Sequence, residues 1–187
     1  MRAQAVENGL EHWIISAEVG RLFYLLTKLT GAKRIYEIGS YLGYSGTWFA
    51  KALPSGGMVV LTENHEGRFK KAAEFFEQSQ LRSRVDLRNC DALHDLVASD
   101  TLYDIILIDH DKPYYCDAFQ VAKTRIKQGG LIVADNVLWR NRIVNPEWQD
   151  DPSTRGVLEF NRMIMDDPDV ISLILPIGDG VSLSYRI

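Results

Sequence analysis

Unbroken apolar runs that stop at polar residues alternate along this chain with stretches of helical periodicity. Tyr103-Asp104-Ile105-Ile106-Leu107-Ile108 has the character of a parallel strand buried on both faces, and it stops at Asp109-His110-Asp111-Lys112. Leu131-Ile132-Val133-Ala134 repeats the pattern and stops at Asp135-Asn136. Arg34 to Ile38 and Met58 to Leu61 read as shorter strands, the first running into Gly39-Ser40-Tyr41-Leu42-Gly43-Tyr44-Ser45-Gly46 and the second into Thr62-Glu63. Arg84 to Arg88 alternates with period two and stops at Asn89-Cys90-Asp91-Ala92.

Helices fill the intervals. Ser16 caps an amphipathic helix that carries Val19, Leu22, Phe23, Leu26 and Leu29 toward a sheet and ends at Gly31. A second helix runs from the glycine-rich turn through Leu53, a third covers His65 to Gln78, and a short one covers Leu93 to Val97. The next spans about Tyr114 to Lys127 and is closed by Gly129-Gly130. Val137 to Ser153 is a loop with Trp139 and Trp148, Thr154 to Met165 a helix, and Ile171 to Leu175 and Val181 to Tyr185 a closing pair of strands. Met1 to Ile15 form a lead-in without firm pattern. The alternation predicts one α/β domain over residues 1–187, with a mostly parallel sheet, helices on both faces and an antiparallel member at the C-terminus.

Composition narrows the class. With 187 residues, 46% of them hydrophobic and 25% charged, the chain can bury one sizeable core. The net charge of -4 and the dispersed Lys and Arg argue against a nucleic acid partner held by phosphate contacts. Cys90 and Cys116 make neither a disulfide framework nor a metal-ligand spacing, which fits a reducing cytoplasm. Glu7, Glu11, His12 and Glu18 interrupt any signal-peptide core, and no segment has the length to span a bilayer, so a cytoplasmic protein without a membrane partner is expected.

Ligands of open α/β sheets sit outside the carboxyl ends of the strands, which is where the polar tips gather. Gly39, Gly43 and Gly46 open a helix N-terminus to an anionic or polar ligand, but Tyr41 stands where the dinucleotide fingerprint needs its second glycine, so NAD is disfavoured. Glu63 is placed to accept hydrogen bonds from ribose hydroxyls and Asp91-Ala92 to meet an adenine edge. Singly these are turn glycines and helix caps; recurring at three successive strand ends, they favour an adenosine-type cofactor. Asp109 and Asp135-Asn136 close two strands that should be neighbours, and hard oxygen donors without His or Cys suit Mg2+, Mn2+ or Ca2+. Singly, again, they are a cap and a turn. Lys112 is a solvated surface lysine on the plain reading; desolvated beside a cation it would act as general base toward a hydroxyl that the metal has acidified. His110, with Asp111, is either a wall of the cofactor pocket or structural.

Several motifs in order carry a resemblance. Glu37-Ile38-Gly39-Ser40-Tyr41-Leu42-Gly43-Tyr44-Ser45, Asp104 to Lys112 with Tyr115, Gly129 to Trp139, Thr154-Arg155 with Glu159-Phe160-Asn161, and Gly178 to Leu183 are similar to the cation-dependent O-methyltransferases of the caffeoyl-CoA and catechol type. The resemblance implies a Rossmann-like methyltransferase fold with a mostly parallel seven-stranded sheet and an antiparallel C-terminal strand. It implies S-adenosylmethionine as methyl donor, with Glu37, Gly39, Ser45, Glu63, Ala92 and Asp111 at contacting positions; Ser40, Tyr41, Gly43, Asp91 and Asp109 complete the expected cofactor set. It also implies a divalent cation on Asp109, Asp135 and Asn136, Lys112 as base with Asp109 beside it, a small hydroxylated aromatic acceptor such as a catechol, and a homodimer. The lead-in is shorter than in relatives, where it helps cover the acceptor; His110 resembles the catechol enzymes, and Ala118 replaces a tyrosine of plant members. Competing expectations are a tRNA hydroxyuridine methyltransferase using Arg140, Arg142 and Arg155, and a noncatalytic adenosine-binding domain. Trp139 and Trp148 are placed to sandwich a flat acceptor, but such aromatics equally make subunit contacts and stay outside the site set.

Overall fold

The computed structural model describes residues 14–187; the lead-in expectation falls mostly on Met1–Trp13, outside the described residues. Strands β1 (Arg34–Ile38), β2 (Met58–Thr62), β3 (Val85–Arg88), β4 (Tyr103–Ile108), β5 (Ile126–Asp135), β6 (Val170–Leu175) and β7 (Val181–Arg186) form one seven-stranded sheet in the order β3-β2-β1-β4-β5-β7-β6. All neighbours from β3 to β5 are parallel, and β7 runs antiparallel to both β5 and β6. Parallel strands need crossovers, and those crossovers are the helices that cover both faces.

Helices α1 (Ala17–Thr30), α2 (Tyr44–Ala52) and α3 (Glu66–Glu77) cover one face, over Ile35, Val59, Leu61, Ile105, Leu107 and Val133. On the other face α4 (Ala92–Ala98), α5 (Tyr115–Arg125) and α6 (Pro152–Asp166) cover Tyr36, Ile106, Ile108, Ile132 and Ala134. Alternate residues of each buried strand therefore feed two cores, which is why no polar face interrupts their sequence. Phe23 of α1 stacks on Phe49 of α2 with ring centroids 5.0 Å apart, contributing about 1 kcal/mol beyond its buried area.

The Ser16 cap and the left-handed Gly31 at the end of α1 match expectation: Ser16 Oγ accepts from Val19 N at 3.2 Å. Leu29 does not face the sheet; it is 81% exposed, because Val19, Phe23 and Thr27 make the buried stripe and Leu29 falls at its margin in the last turn. The helix expected from Tyr114 to Lys127 also needs correction. It stops at Arg125, Ile126 is already extended (φ -81°, ψ 139°), and that residue is buried and paired with Tyr103. The pairing then shifts register before Leu131 meets Ile105, and Gly129 at φ +78° lies within that shift. Gly129-Gly130 thus serve a bulge in β5, not a helix end. The expected loop from Val137 to Ser153 contains two 3-10 segments, Trp139–Val144 and Pro146–Trp148, and α6 starts at Pro152 behind an Asp151 cap.

Candidate active site

At the tip of β1 the chain turns through left-handed positions at Gly39 (φ +84°), Tyr41 (φ +50°) and Gly43 (φ +79°) before entering α2. The glycines answer to the protein's own packing. A Cβ on Gly39 would lie 2.5 Å from the Asp109 carbonyl oxygen, and one on Gly43 would lie 2.6 Å from the Phe76 ring. Gly39 is what lets the tips of β1 and β4 approach each other. Glu37, fully buried, accepts a short hydrogen bond from the Ser45 hydroxyl. Burial pushes its carboxyl up to about 8, the Ser45 bond opposes that rise, and the nearby Asp109 adds to it. Glu37 Oε2 and Ser40 Oγ are buried without a hydrogen-bond partner, as are both ring nitrogens of His110. Burial holds His110 near 4, hence neutral, with the Lys112 charge adding to the depression.

Glu63, also buried, follows β2 and accepts from His65 N at 2.8 Å, with Arg68 3.8 Å away. Arg68 in turn lies 5.2 Å over the Tyr41 ring, so Tyr41 and Glu63 share a neighbour along one rim. Asp91 is the N-cap of α4, accepting from His94 N at 2.8 Å, and the Ala92 carbonyl accepts from the Tyr36 hydroxyl at 2.9 Å. Asp111 is exposed and makes no capping bond to the 3-10 turn Lys112–Tyr114 that it precedes. The cofactor residues expected from sequence therefore line the tips of β1, β2, β3 and β4. Unpartnered polar atoms lie at Glu37, Ser40 and His110, which is what a polar, multi-contact ligand requires.

β4 and β5 are neighbours, with Ile108 opposite Ala134, so Asp109 and Asp135-Asn136 emerge side by side. Asp135 is 2% exposed; its Oδ2 accepts from Asn136 Nδ2 at 3.2 Å and its Oδ1 is buried without a partner. Burial and then the neighbouring Asp109 push the Asp135 carboxyl up to about 8, and burial raises Asp109 as well, against the pull of Lys112. Two carboxylates that repel each other in a dry setting, with one free oxygen, fit a divalent cation. Among the described residues no group of three or more His, Cys, Asp and Glu side chains is arranged to hold a metal. A cation here would rest on two carboxylates and the Asn136 amide oxygen, with water or an acceptor's oxygens completing the shell.

Lys112 is not a surface lysine. It is 7% exposed and its ammonium donates to Tyr115 OH at 2.7 Å, His110 O at 3.1 Å and Asp109 Oδ1 at 3.4 Å. A Cβ on Gly156 would lie 2.4 Å from the Lys112 carbonyl oxygen, so α6 closes directly over this turn. Trp139 lies 5.5 Å from the Lys112 ammonium, in a loop with left-handed backbone at Trp139, Arg140 and Asn141. Trp139 and Trp148 do not present an open slot: the Arg142 guanidinium stands 3.7 Å from the Trp148 ring centroid and 5.6 Å from that of Trp139. Sequence reasoning gave no role to Asp179, whose carboxylate accepts from Arg140 N at 2.5 Å and adds to the negative field at Asp135. Its position in a glycine-flanked turn between the closing strands, within the Gly178 to Leu183 motif, was the available signal.

The chain is 34% identical over 185 residues to Caffeoyl-CoA O-methyltransferase 2 of Eucalyptus globulus, covering 92% of this chain and 74% of that protein. It is 34% identical over 187 residues to the Catechol O-methyltransferase of Niastella koreensis, covering 95% and 84%. The crystal structure of the O-methyltransferase from Bacillus cereus in complex with SAH superposes with a TM-score of 0.89 at 28% identity, over 99% of this chain and 88% of that one. The O-methyltransferase family model matches residues 1–187, and with the seven-stranded sheet and its polar edge this shows that the chain belongs to the O-methyltransferase family.

Proposed function

We propose that this S-adenosylmethionine-dependent O-methyltransferase methylates a hydroxyl of a small catechol-like or other vicinal-diol acceptor with the help of a divalent cation, Mg2+ first and Mn2+ or Ca2+ as substitutes. The observation that carries the reading is the pairing of β4 with β5. It brings Asp109, Asp135 and Asn136 to one edge, beside the buried Lys112 and the Glu37 turn, with Asp135 Oδ1 and Glu37 Oε2 lacking partners. Similarity to caffeoyl-CoA and catechol enzymes supports an acceptor with adjacent hydroxyls.

In this reading Asp109, Asp135 and the Asn136 amide oxygen hold the cation. Bound there, a divalent cation supplies the charge that makes an acceptor hydroxyl easier to ionise. Lys112 Nζ, as the neutral amine left once one ammonium proton has gone to solvent, takes the hydroxyl proton, and the β4 and β5 tips hold the oxygen in line with the donor's methyl group. Glu63 accepts from the donor's ribose hydroxyls, Glu37 and Ser45 hold its polar groups at the first turn, and the Asp91-Ala92 edge meets the adenine.

Methyl transfer from labelled S-adenosylmethionine, run with Mg2+ and with EDTA on catechols, flavonoids, hydroxycinnamoyl thioesters and bulk tRNA, tests the reading. Label on a catechol that disappears with EDTA is the expected result. Label on tRNA alone, or EDTA-insensitive transfer, would overturn it. Arg142, stacked on Trp148, is already engaged within the protein, which counts against a phosphate-binding face built on it.

A further inference from the structure

Hydrogen bonding around Lys112 leaves one participant that the mechanism above does not use. The Tyr115 hydroxyl has one proton and two lone pairs, and the proton is committed: it donates to the Asp135 carbonyl oxygen at 2.9 Å. Toward Lys112 Nζ, 2.7 Å away, it can therefore only accept. One phenol thus joins the lysine of the β4 tip to the backbone of a carboxylate residue at the β5 tip. Its ring is fixed on both sides, stacked on His110 at 5.4 Å and 17° and meeting the edge of Phe160 at 5.3 Å and 76°. Tyr115 is fully buried, so its hydroxyl is shielded from bulk water.

We infer that Tyr115 is a positioning residue, whose hydroxyl holds the Lys112 side chain at a set distance from the Asp135 strand tip. The inference rests on the proposed function for its catalytic meaning, since it assigns Lys112 to the acceptor's proton. The anchor itself is independent of that reading. Without the hydroxyl, Lys112 keeps only its longer bonds to His110 O and Asp109 Oδ1 and loses its tether to β5.

The variant Tyr115→Phe retains the ring and removes the bridge. With Mg2+, S-adenosylmethionine and a catechol, kcat should fall roughly 10- to 100-fold, as for loss of one hydrogen bond to a charged group, with KM for the methyl donor nearly unchanged. Phe160→Leu loosens the same ring without touching the hydroxyl; it should lower stability and leave kcat near that of the unsubstituted protein. An unchanged kcat in Tyr115→Phe, or an equal loss in Phe160→Leu, would overturn the inference. A second readout needs no turnover. In lysine 13Cε–1Hε spectra, assigned with Lys112→Arg, the Lys112 signal should stand apart from the exposed lysines because its ammonium is held 2.7 Å from the Tyr115 hydroxyl and 4.7 Å from that ring's centroid. In Tyr115→Phe, which keeps the ring, the signal should move because the ammonium leaves the position that the hydroxyl held. A Lys112 signal among the exposed lysines in the unsubstituted protein, or one unmoved by the substitution, would overturn the anchor without any kinetic measurement. Absence of metal-dependent turnover in the unsubstituted protein would instead overturn the proposed acceptor chemistry, and the spectra would still decide the anchor.

Discussion

Replacing Asp135 by Asn should stabilise the metal-free protein while removing its response to metal. The carboxyl is 2% exposed, faces Asp109 and is pushed from 3.8 up to about 8. A group whose folded value lies above its unfolded one favours folding in full below the unfolded value, and that contribution is lost as pH climbs toward the folded value. For Asp135 the window runs from about pH 4 to about pH 8. At roughly 1.4 kcal/mol per pH unit the whole window bounds the cost at about 6 kcal/mol, and relaxation together with the Asn136 bond reduces it. A neutral Asn of the same shape carries no such penalty, so a gain on the order of 2 kcal/mol is expected at pH 8 in EDTA. For a chain of this length that is roughly 4–8 °C in melting temperature. Differential scanning calorimetry at pH 5 and pH 8, with EDTA and with Mg2+, provides the assay. The unsubstituted protein should lose stability between the two pH values in EDTA and regain it with Mg2+, whereas Asp135→Asn should be flatter in pH and indifferent to Mg2+. A variant that melts lower than the parent at pH 8 in EDTA would refute the argument that the buried Asp135 carboxylate and its half-buried neighbour Asp109 oppose each other there.

Other consequences follow from the same edge. Glu63→Gln should weaken S-adenosylhomocysteine binding by about tenfold through loss of one good acceptor, measured by isothermal titration calorimetry; unchanged affinity would remove Glu63 from the donor site. Gly39→Ala places a Cβ 2.5 Å from the Asp109 carbonyl at φ +84°, so it should cost more than about 2 kcal/mol in urea unfolding. Gly31→Ala, at φ +66° with nothing within 4 Å, should cost only about 1 kcal/mol. Equal costs for the two glycines would mean that the contact between the β1 and β4 tips is not tight.

Which parts of this molecule were legible in its sequence depends on whether the deciding interaction is local. β4 and β5 announce themselves because burial on both faces demands unbroken apolar residues, and the abrupt change at Asp109 and Asp135 marks where burial ends. The Ser16 and Gly31 caps were legible for the same local reason. The end of α5 was not: Ile126 continues a plausible helical pattern, and only its pairing with Tyr103 makes it a strand residue. That Gly43 at the cofactor turn also packs against Phe76 was not legible, because Phe76 lies far along the chain. Tyr115 escaped notice as a functional residue because one of its partners is a backbone carbonyl on another strand, which no side-chain pattern reveals. Arg142 between Trp139 and Trp148 is likewise a product of a left-handed loop that the sequence does not signal.

Crystals grown with S-adenosylhomocysteine and soaked in Mn2+ put the central idea to the most direct test, because the metal's anomalous signal locates it without assumption. The account predicts one strong peak about 2.0–2.3 Å from oxygens of Asp109, Asp135 and Asn136, within reach of the Lys112 ammonium. A peak bound elsewhere, or none at this edge while the donor site is filled, would contradict it.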